Sequence, residues 1–226
     1  DMESIKNISS IMVNGGKVGF YSEMGNIIHY DNLVVIEDLQ SIPPDIRGLI
    51  VISSEKLEIV KNKNQGIIEN NQSFCSSEID GSSCGCQRIK NSIIQMCHLI
   101  PKNINIGIGC RRGIDGLKII KAIERELNKS NLSPKGIKSI ATVEVKKEEK
   151  GLIEAARYFN CPLRIFTLDE IRKVENRFEK SQFVKDTVGV YSVAEPCAYL
   201  LGGNAVSRKI KDNGITISLR KEVSYG

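Results

Sequence analysis

The sequence of 226 residues contains no tryptophan, two histidines and only 5% aromatic residues. Single-stranded nucleic acids are held largely by stacking on aromatic side chains, which are scarce here. The sequence also has no recognisable helix-turn-helix, zinc-finger or RNA-binding signature, so we expect no nucleic-acid partner. No stretch approaches the roughly 20 apolar residues that a bilayer-spanning helix needs. We therefore expect no membrane partner either.

The seven cysteines are odd in number and irregularly spaced, which argues against the disulfide framework of a small secreted protein. We therefore expect a cytoplasmic protein. Three of them, Cys75, Cys84 and Cys86, lie in one polar stretch and raise the question of a metal site. They lack the second pair that is typical of zinc sites, and His29 and His98 are remote in sequence. We expect no metal bound by the protein.

Basic residues are concentrated in the second part of the chain. Residues 1–100 hold 8 Lys and Arg against 12 Asp and Glu, whereas residues 101–226 hold 24 against 15. The net charges of the two parts are therefore −4 and +9. A basic domain attracts anions, and the low aromatic content favours a small polyanion over a nucleic acid.

Hydrophobic patterning predicts an α/β fold in two parts. Short apolar or alternating runs predict strands of a first, small α/β domain at 17–21, 33–36, 48–53 and 93–100. After these, strands alternate with helices, which is typical of a three-layer α/β/α domain.

The second part ends in a predicted hairpin, which makes its sheet mixed. Its predicted strands are 104–108, 137–145, 163–167, 205–210 and 215–219. Its predicted helices are 115–128, 149–159, 181–186 with Ser181 as the cap, and one that begins after Ser192.

The segment 107–113 joins a predicted strand to a predicted helix and reads Gly-Ile-Gly-Cys-Arg-Arg-Gly. Such a turn presents unpaired backbone N–H groups at the positive end of a helix dipole, which favours an anion. Guanidinium groups grip carboxylate or phosphate with two parallel hydrogen bonds. The predicted ligand-binding residues of this loop are Gly107, Gly109, Cys110, Arg111, Arg112 and Gly113. We do not expect a nucleophilic role for the cysteine, because no base lies near it in sequence.

Further polar residues follow the next predicted strand. The carboxyl ends of parallel strands meet at one edge of the sheet, where ligands bind in open α/β folds. Thr142, Lys146 and Glu149 are therefore candidates for the same site, although a solvated charge cluster would have the same composition. Glu195 opens another predicted helix, where a carboxylate suits the helix dipole with or without a function.

Several motifs occur in a fixed order in the second part of the chain. They are Gly-Ile-Gly-Cys-Arg-Arg-Gly at 107–113, the segment 142–151, Leu-Arg-Ile-Phe at 163–166, Val-Gly-Val at 188–190 and Ser-Val-Ala-Glu-Pro at 192–196. In this order they resemble the carboxy-terminal domain of the CbiG cobalt-precorrin-5A hydrolases. The resemblance implies a carboxy-terminal domain at 100–226 and the family's middle domain at 1–99. The family's amino-terminal domain has no counterpart in this sequence, so we expect a fragment.

The resemblance implies a role in anaerobic cobalamin biosynthesis. The family opens the δ-lactone of cobalt-precorrin-5A and releases acetaldehyde to give cobalt-precorrin-5B. The substrate is a cobalt-bearing macrocycle ringed by acetate and propionate carboxylates, which agrees with the basic charge of residues 101–226. Cobalt arrives with the substrate, so no separate cofactor is implied. Other enzymes of the pathway are further candidate partners.

Hydrolysis of a lactone needs a directed water, proton transfer and a stabiliser of developing negative charge. Backbone N–H groups of 109–113 are candidates for the stabiliser. Glu149 or Glu195 is the candidate base, with Glu149 preferred because Lys146 lies one helical turn away to hold its charge. Lys146 is the candidate acid or carboxylate anchor.

Two other functions remain open from the sequence. A dinucleotide-binding oxidoreductase would share the glycine spacing, but it needs an acidic residue about 20 residues further on. Glu144 is more than 30 residues past Gly107, and paired arginines are atypical of that loop. The other alternative is a corrinoid-binding module without catalytic activity.

Overall fold

The computed structural model describes residues 2–25, 29–62, 65–69, 95–207 and 209–223. The chain divides into two compact units, residues 1–100 with 224–226 and residues 101–223. Cys75, Cys84 and Cys86 lie outside the described residues. Among the helices described, none combines the length and apolar character that crossing a membrane requires.

The first unit is built on a parallel sheet of four strands in the order β2-β1-β3-β6. Its elements are α1 (Met2–Val13), β1 (Lys17–Ser22), β2 (Leu33–Val35), β3 (Ile46–Ile52), β4 (Glu58–Asn62), β5 (Gln65–Glu69) and β6 (Gln95–Leu99). Strands β4 and β5 form a separate antiparallel pair. The four predicted strands of this unit are confirmed. Helix α1 was not predicted, although Ile5, Ile8 and Met12 recur at helical spacing, and Ile8 is buried with Val18 and Cys97.

The second unit is a three-layer α/β/α domain around a mixed sheet. Its elements are β7 (Ile104–Cys110), α2 (Gly116–Lys129), β8 (Ile137–Val143), α3 (Lys150–Tyr158), β9 (Leu163–Phe166), α4 (Leu168–Val174), α5 (Gln182–Val188), α6 (Ala194–Leu201), β10 (Asn204–Ala205), β11 (Ile210–Asp212) and β12 (Ile215–Lys221). The strand order is β10-β12-β7-β8-β9, and β11 also pairs with β12. Strands β7, β8 and β9 are parallel, whereas β12 runs antiparallel to β7. The predicted fold class is confirmed.

The two faces of this sheet carry different helices. Side chains such as Ile106, Ile108 and Ile140 pack with α2 and α3 in one apolar cluster. Residues that alternate with them along β8, Ala141 and Val143, pack against α4 and α6. The helices therefore cover both faces, and the loops at the carboxyl ends of β7 and β8 lie at a common edge.

Two predictions for the second unit need correction, and one helix was not predicted. Ser181 precedes α5 as predicted, but its side chain makes no capping hydrogen bond. The first strand of the final hairpin is not continuous over 205–210, because it is divided between β10 and β11, although the predicted turn at 212–214 joins β11 to β12. Helix α4 was not predicted.

Candidate functional site

The candidate site lies where β7 and β8 end. The two strands are parallel neighbours, with Gly107 opposite Ala141. The loop 111–115 follows β7 and leads into α2, and the segment 144–149 follows β8 and leads into α3. The sheet therefore brings the glycine loop and the predicted charged residues to one edge.

Glu149 bridges the two loops. Its Oε2 accepts a hydrogen bond from the backbone N–H of Gly113 at 3.0 Å, and its Oε1 lies 3.2 Å from Lys146 Nζ. The side chains of Lys146 and Glu149 are only 9% and 14% exposed. An ion pair shielded to this degree is screened less by solvent than a surface pair, so Lys146 holds the Glu149 carboxylate in the position where it accepts the Gly113 N–H.

The environment of Glu149 favours its ionised form. Partial burial by itself would raise the pKa of Glu149, but the hydrogen bonds from Gly113 and Lys146 and the charge of Arg112 hold that pKa below its usual value. Glu149 is therefore a carboxylate throughout the neutral range. It can accept a proton from water, whereas an acid role would require a raised pKa.

Both arginines of the loop lie at the surface, and Arg111 is anchored against Gly214. Arg111 donates its backbone N–H to the Gly214 carbonyl at 3.0 Å, and its aliphatic stem lies against Gly214 so closely that a Cβ there would stand 2.8 Å from Arg111 Cδ. Both arginines are exposed. The guanidinium groups at this edge are therefore accessible to an anionic ligand.

The backbone of the loop is less open than the sequence predicts. Gly113 gives its N–H to Glu149, and Arg111 gives its N–H to Gly214. The Asp115 side chain caps α2 by accepting from Leu117 N–H at 2.7 Å. Much of the predicted anion-binding capacity of 109–113 is thus used by acceptors of the protein itself.

Cys110 lies beside this ion pair. Burial raises the pKa of the Cys110 thiol to about 11, while the charges of Lys146 and Glu149 act on it in opposite directions. The thiol is therefore protonated near neutral pH, and a protonated thiol is a poor nucleophile.

Gly107 and Thr142 have packing roles in the structure. A Cβ at Gly107 would lie 1.9 Å from the Ala194 carbonyl oxygen, so the glycine allows α6 to approach β7. Thr142 is fully buried, and its hydroxyl donates to the Ile108 carbonyl at 2.9 Å. Neither residue presents a free polar group for the predicted binding role, whereas Gly109 is partly exposed at the end of β7.

Glu195 belongs to a separate ion network. It lies in the first turn of α6, and its Oε2 is 2.7 Å from Lys209 Nζ. Lys209 also contacts Glu179 at 3.1 Å. Burial would lower the pKa of Lys209, but its bonds to Glu195 and Glu179 raise it. In addition to the predicted interaction with the helix dipole, Glu195 thus has an ion-pair partner, Lys209, 14 residues further along the chain.

Gly151 was missed as a residue that shapes the site. A Cβ at Gly151 would lie 2.2 Å from the Ile114 carbonyl oxygen. The glycine therefore permits the close contact between α3 and the glycine loop that brings Glu149 to Gly113. The sequence did offer a sign of this role, because glycine is a poor helix former and Gly151 lies in the first turn of a predicted helix.

Among the residues that the structure describes, no group of three or more His, Cys, Asp or Glu side chains has an arrangement that could hold a metal ion. The chemistry of the described edge is that of arginine, lysine and carboxylate groups.

Comparison with known families assigns the second unit. The family described as "Cobalamin synthesis G C-terminus" matches residues 104–220, which is more than half of the chain. The chain belongs to this family. The match includes the glycine loop, Lys146, Glu149 and Glu195.

Two curated relatives in this family are similar over the same part of the chain. The cobalt-precorrin-5A hydrolase of Salmonella typhimurium is 34% identical over 139 residues, which is 59% of this chain and 40% of the relative. The probable cobalt-precorrin-5A hydrolase of Methanocaldococcus jannaschii is 33% identical over 136 residues, or 55% of this chain and 42% of the relative. The matched part thus spans about two-fifths of the length of these relatives.

A solved structure is also similar to the chain. The crystal structure of CobE, a protein from the cobalamin (vitamin B12) biosynthetic pathway, shares 27% identity. It covers 55% of this chain and 93% of its own chain, with a TM-score of 0.49.

Proposed function

We propose that this chain contributes the carboxy-terminal part of a cobalt-precorrin-5A hydrolase. The observation that carries the proposal is the family match over 104–220 together with relatives of that name at 33–34% identity. The reaction opens the δ-lactone of cobalt-precorrin-5A and releases acetaldehyde, and cobalt enters and leaves with the macrocycle.

The edge formed by β7 and β8 supplies groups that suit this reaction. Arg111 and Arg112 are exposed and bind peripheral carboxylates of the substrate. Glu149 is ionised and serves as the base that takes a proton from the attacking water. Lys146 holds the Glu149 carboxylate in place and remains close to the developing charge.

The direct test is conversion of cobalt-precorrin-5A under anaerobic conditions. The chain is assayed alone and together with the amino-terminal region of the Salmonella relative, because the chain matches only 40% of that protein. We expect acetaldehyde in at least the combined sample. Absence of acetaldehyde from both samples, with the chain folded by circular dichroism, contradicts the proposal.

The arginine role predicts a loss of affinity in Arg111→Ala or Arg112→Ala. Replacement of the arginine that makes a charge-assisted hydrogen bond should weaken binding by about 1.5–3 kcal/mol, and replacement of the other should change the affinity little. Absorbance titration with cobalt-precorrin-5A measures this, with Arg157→Ala, an exposed arginine in the last turn of α3, as control. If both single variants and the double variant bind with the affinity of the parent chain, the arginines do not contact the substrate.

We predict that the thiol of Cys110 is not a nucleophile. Because burial raises its pKa to about 11, little thiolate exists at neutral pH, and Cys110→Ala should keep substantial acetaldehyde release. Site-resolved mass spectrometry after iodoacetamide treatment should show labelling of Cys110 that increases as pH rises towards 11. A covalent substrate adduct at Cys110, or loss of all turnover in a folded variant, would disprove this prediction.

A further inference from the structure

Tyr199 carries two arginines on its ring. The guanidinium carbons of Arg177 and Arg220 each lie 5.2 Å from the ring centroid, which is cation–π distance. The two guanidinium groups are therefore no more than twice that distance apart. The Phe178 ring lies edge-on to Tyr199, with the centroids 5.8 Å apart, and Arg220 donates its Nε–H to the Gly203 carbonyl at 2.7 Å. The ring and the Arg220 guanidinium are thus held in place by the protein.

Neither arginine has an anionic partner among the residues that the structure describes. The ion pairs of this part of the chain involve other cations, for example Lys138 with Glu222. Arg220 uses only Nε in a hydrogen bond to a described residue, and Arg177 uses none of its donors in this way. Their Nη groups therefore remain available for a carboxylate, which arginine binds with two parallel hydrogen bonds.

A second ring with two cations lies near the other end of α6. The Nζ atoms of Lys180 and Lys185 are 5.1 Å and 4.8 Å from the centroid of the Tyr191 ring. Tyr191 precedes α6 and Tyr199 lies in its last turn, and a helix of eight residues is about 12 Å long. Cation–π contacts usually occur about once per 70–80 residues, so four along one helix form a concentrated surface. The cation–π surface consists of Arg177, Lys180, Lys185, Tyr191, Tyr199 and Arg220.

The arginines of this surface are separate from the candidate site. In the antiparallel pairing of β7 with β12, Arg220 lies opposite Asn105, near the start of β7. The loops of the candidate site follow the other ends of β7 and β8. The strand from Asn105 to Cys110 spans about 17 Å at the usual rise per residue. One carboxylate therefore cannot bind both to Arg220 and to the glycine loop.

The composition and length of the cation–π surface fit a protein segment better than a free anion. Tyr191, Tyr199 and the neighbouring Phe178 are partly exposed, and a free anion would leave these rings in water. Arginine and aromatic residues are enriched at protein interfaces, where arginine and tyrosine often contribute most of the binding energy. In an extended chain, alternate side chains lie on one face about 7 Å apart. Acidic residues at alternate positions of such a chain can therefore reach the cations at both rings.

We propose that the cation–π surface is the docking surface for an extended acidic segment of a partner protein, whose carboxylates bind Arg177 and Arg220. The Tyr199 ring holds both guanidinium groups near their bound positions, which lowers the entropy cost of binding. The inference does not depend on the proposed reaction, because it uses no group of the edge formed by β7 and β8.

The experiment measures binding of the whole chain to a short fluorescent peptide of alternating glutamate and glycine by fluorescence anisotropy. A peptide with glutamine in place of each glutamate is the uncharged control. We expect saturable binding of the glutamate peptide only. Arg177→Ala and Arg220→Ala should each weaken it about fivefold, the upper range for an exposed ion pair. Arg157→Ala is the matched control and should bind like the parent, because this exposed arginine of α3 makes none of the four cation–π contacts.

Variants of Tyr199 test whether the ring positions the arginines. Tyr199→Phe keeps the aromatic face and should bind the glutamate peptide with the parent affinity. Tyr199→Leu removes that face and should weaken binding as much as the loss of one arginine. Circular dichroism and thermal unfolding are recorded for every variant. If Tyr199→Leu does not fold, the comparison of the two arginine variants with Arg157→Ala decides the question.

Equal loss of affinity in Arg157→Ala and Arg177→Ala would overturn the inference, because net charge alone would then account for binding. Equal affinity for the glutamine and glutamate peptides would overturn it as well. Tripolyphosphate and oligouridylate are tested as competitors against the labelled peptide. If either displaces it at a lower concentration than the unlabelled glutamate peptide does, the surface binds phosphate groups and not an acidic protein segment.

Discussion

Glu149→Gln is expected to lower acetaldehyde release from cobalt-precorrin-5A by about a hundredfold or more, the usual contribution of a general base. The parent carboxylate bonds both Gly113 N–H and Lys146. An amide keeps one oxygen acceptor but cannot take a proton from water. The assay uses the same combined sample as the test of function, with thermal unfolding recorded for each variant.

The values of kcat and KM distinguish a general base from a residue that only holds the loop in place. A lost base lowers kcat and leaves KM near its parent value, whereas a displaced loop raises KM as well. Glu148→Gln is the control, because Glu148 is adjacent and exposed. Since the pKa of Glu149 is below its ordinary value of about 4.3, the parent rate should not fall through loss of this base between pH 8 and pH 5. If Glu149→Gln releases acetaldehyde at the rate of the parent chain, Glu149 is not the base.

Glu195→Gln should behave differently. Its carboxylate is bonded to Lys209, whose side chain is only 10% exposed, so the substitution weakens a shielded ion pair. We expect a loss of about 1–2 kcal/mol in the free energy of unfolding with little change in rate. A large fall in kcat without loss of stability would instead make Glu195 the base.

Local patterns predicted the elements nearest the site because each pattern is contained within a few residues. The short apolar run at 104–108 and the helical periodicity of 115–128 correspond to β7 and α2. Helix α4 also had a local signal that was overlooked: Thr167 and Glu170 form a capping box, with reciprocal hydrogen bonds between side chains and backbone.

The contacts of the site depend on longer-range packing. Lys146 and Glu149 are three residues apart, so their ion pair follows from local spacing. The bond from Gly113 to Glu149 joins residues 36 apart and requires Gly151 to admit the loop. The start of α6 also departs from its local pattern: Ser-x-x-Glu at 192–195 is a capping-box sequence, but Val193 stands at the N-cap and no side chain caps the helix.

Gly107→Ala is expected to lower the free energy of unfolding by about 3 kcal/mol, near the upper end for overpacking. The added Cβ would lie 1.9 Å from the Ala194 carbonyl oxygen and 2.5 Å from the Ala198 nitrogen. Both are backbone atoms of α6, so no side chain can rotate away and the helix itself must move. Urea denaturation followed by circular dichroism measures the change.

Gly109→Ala is the matched control two residues along the same strand. Its Cβ would meet Val193 at 3.4 Å and 3.6 Å, which is ordinary van der Waals contact, so we expect a change below about 1 kcal/mol. Neither glycine has a positive φ, so backbone strain does not separate the two variants.

Movement of α6 in Gly107→Ala should also be visible in hydrogen exchange. Ala194 and Ala198 supply the backbone atoms of α6 that the new Cβ contacts, whereas α2 packs in a different apolar cluster. We therefore expect the amides of α6 to exchange faster than in the parent chain, while those of α2 exchange at the parent rate. Parent-like stability and parent-like exchange of α6 would mean that α6 does not lie against β7 as closely as the geometry of Gly107 requires.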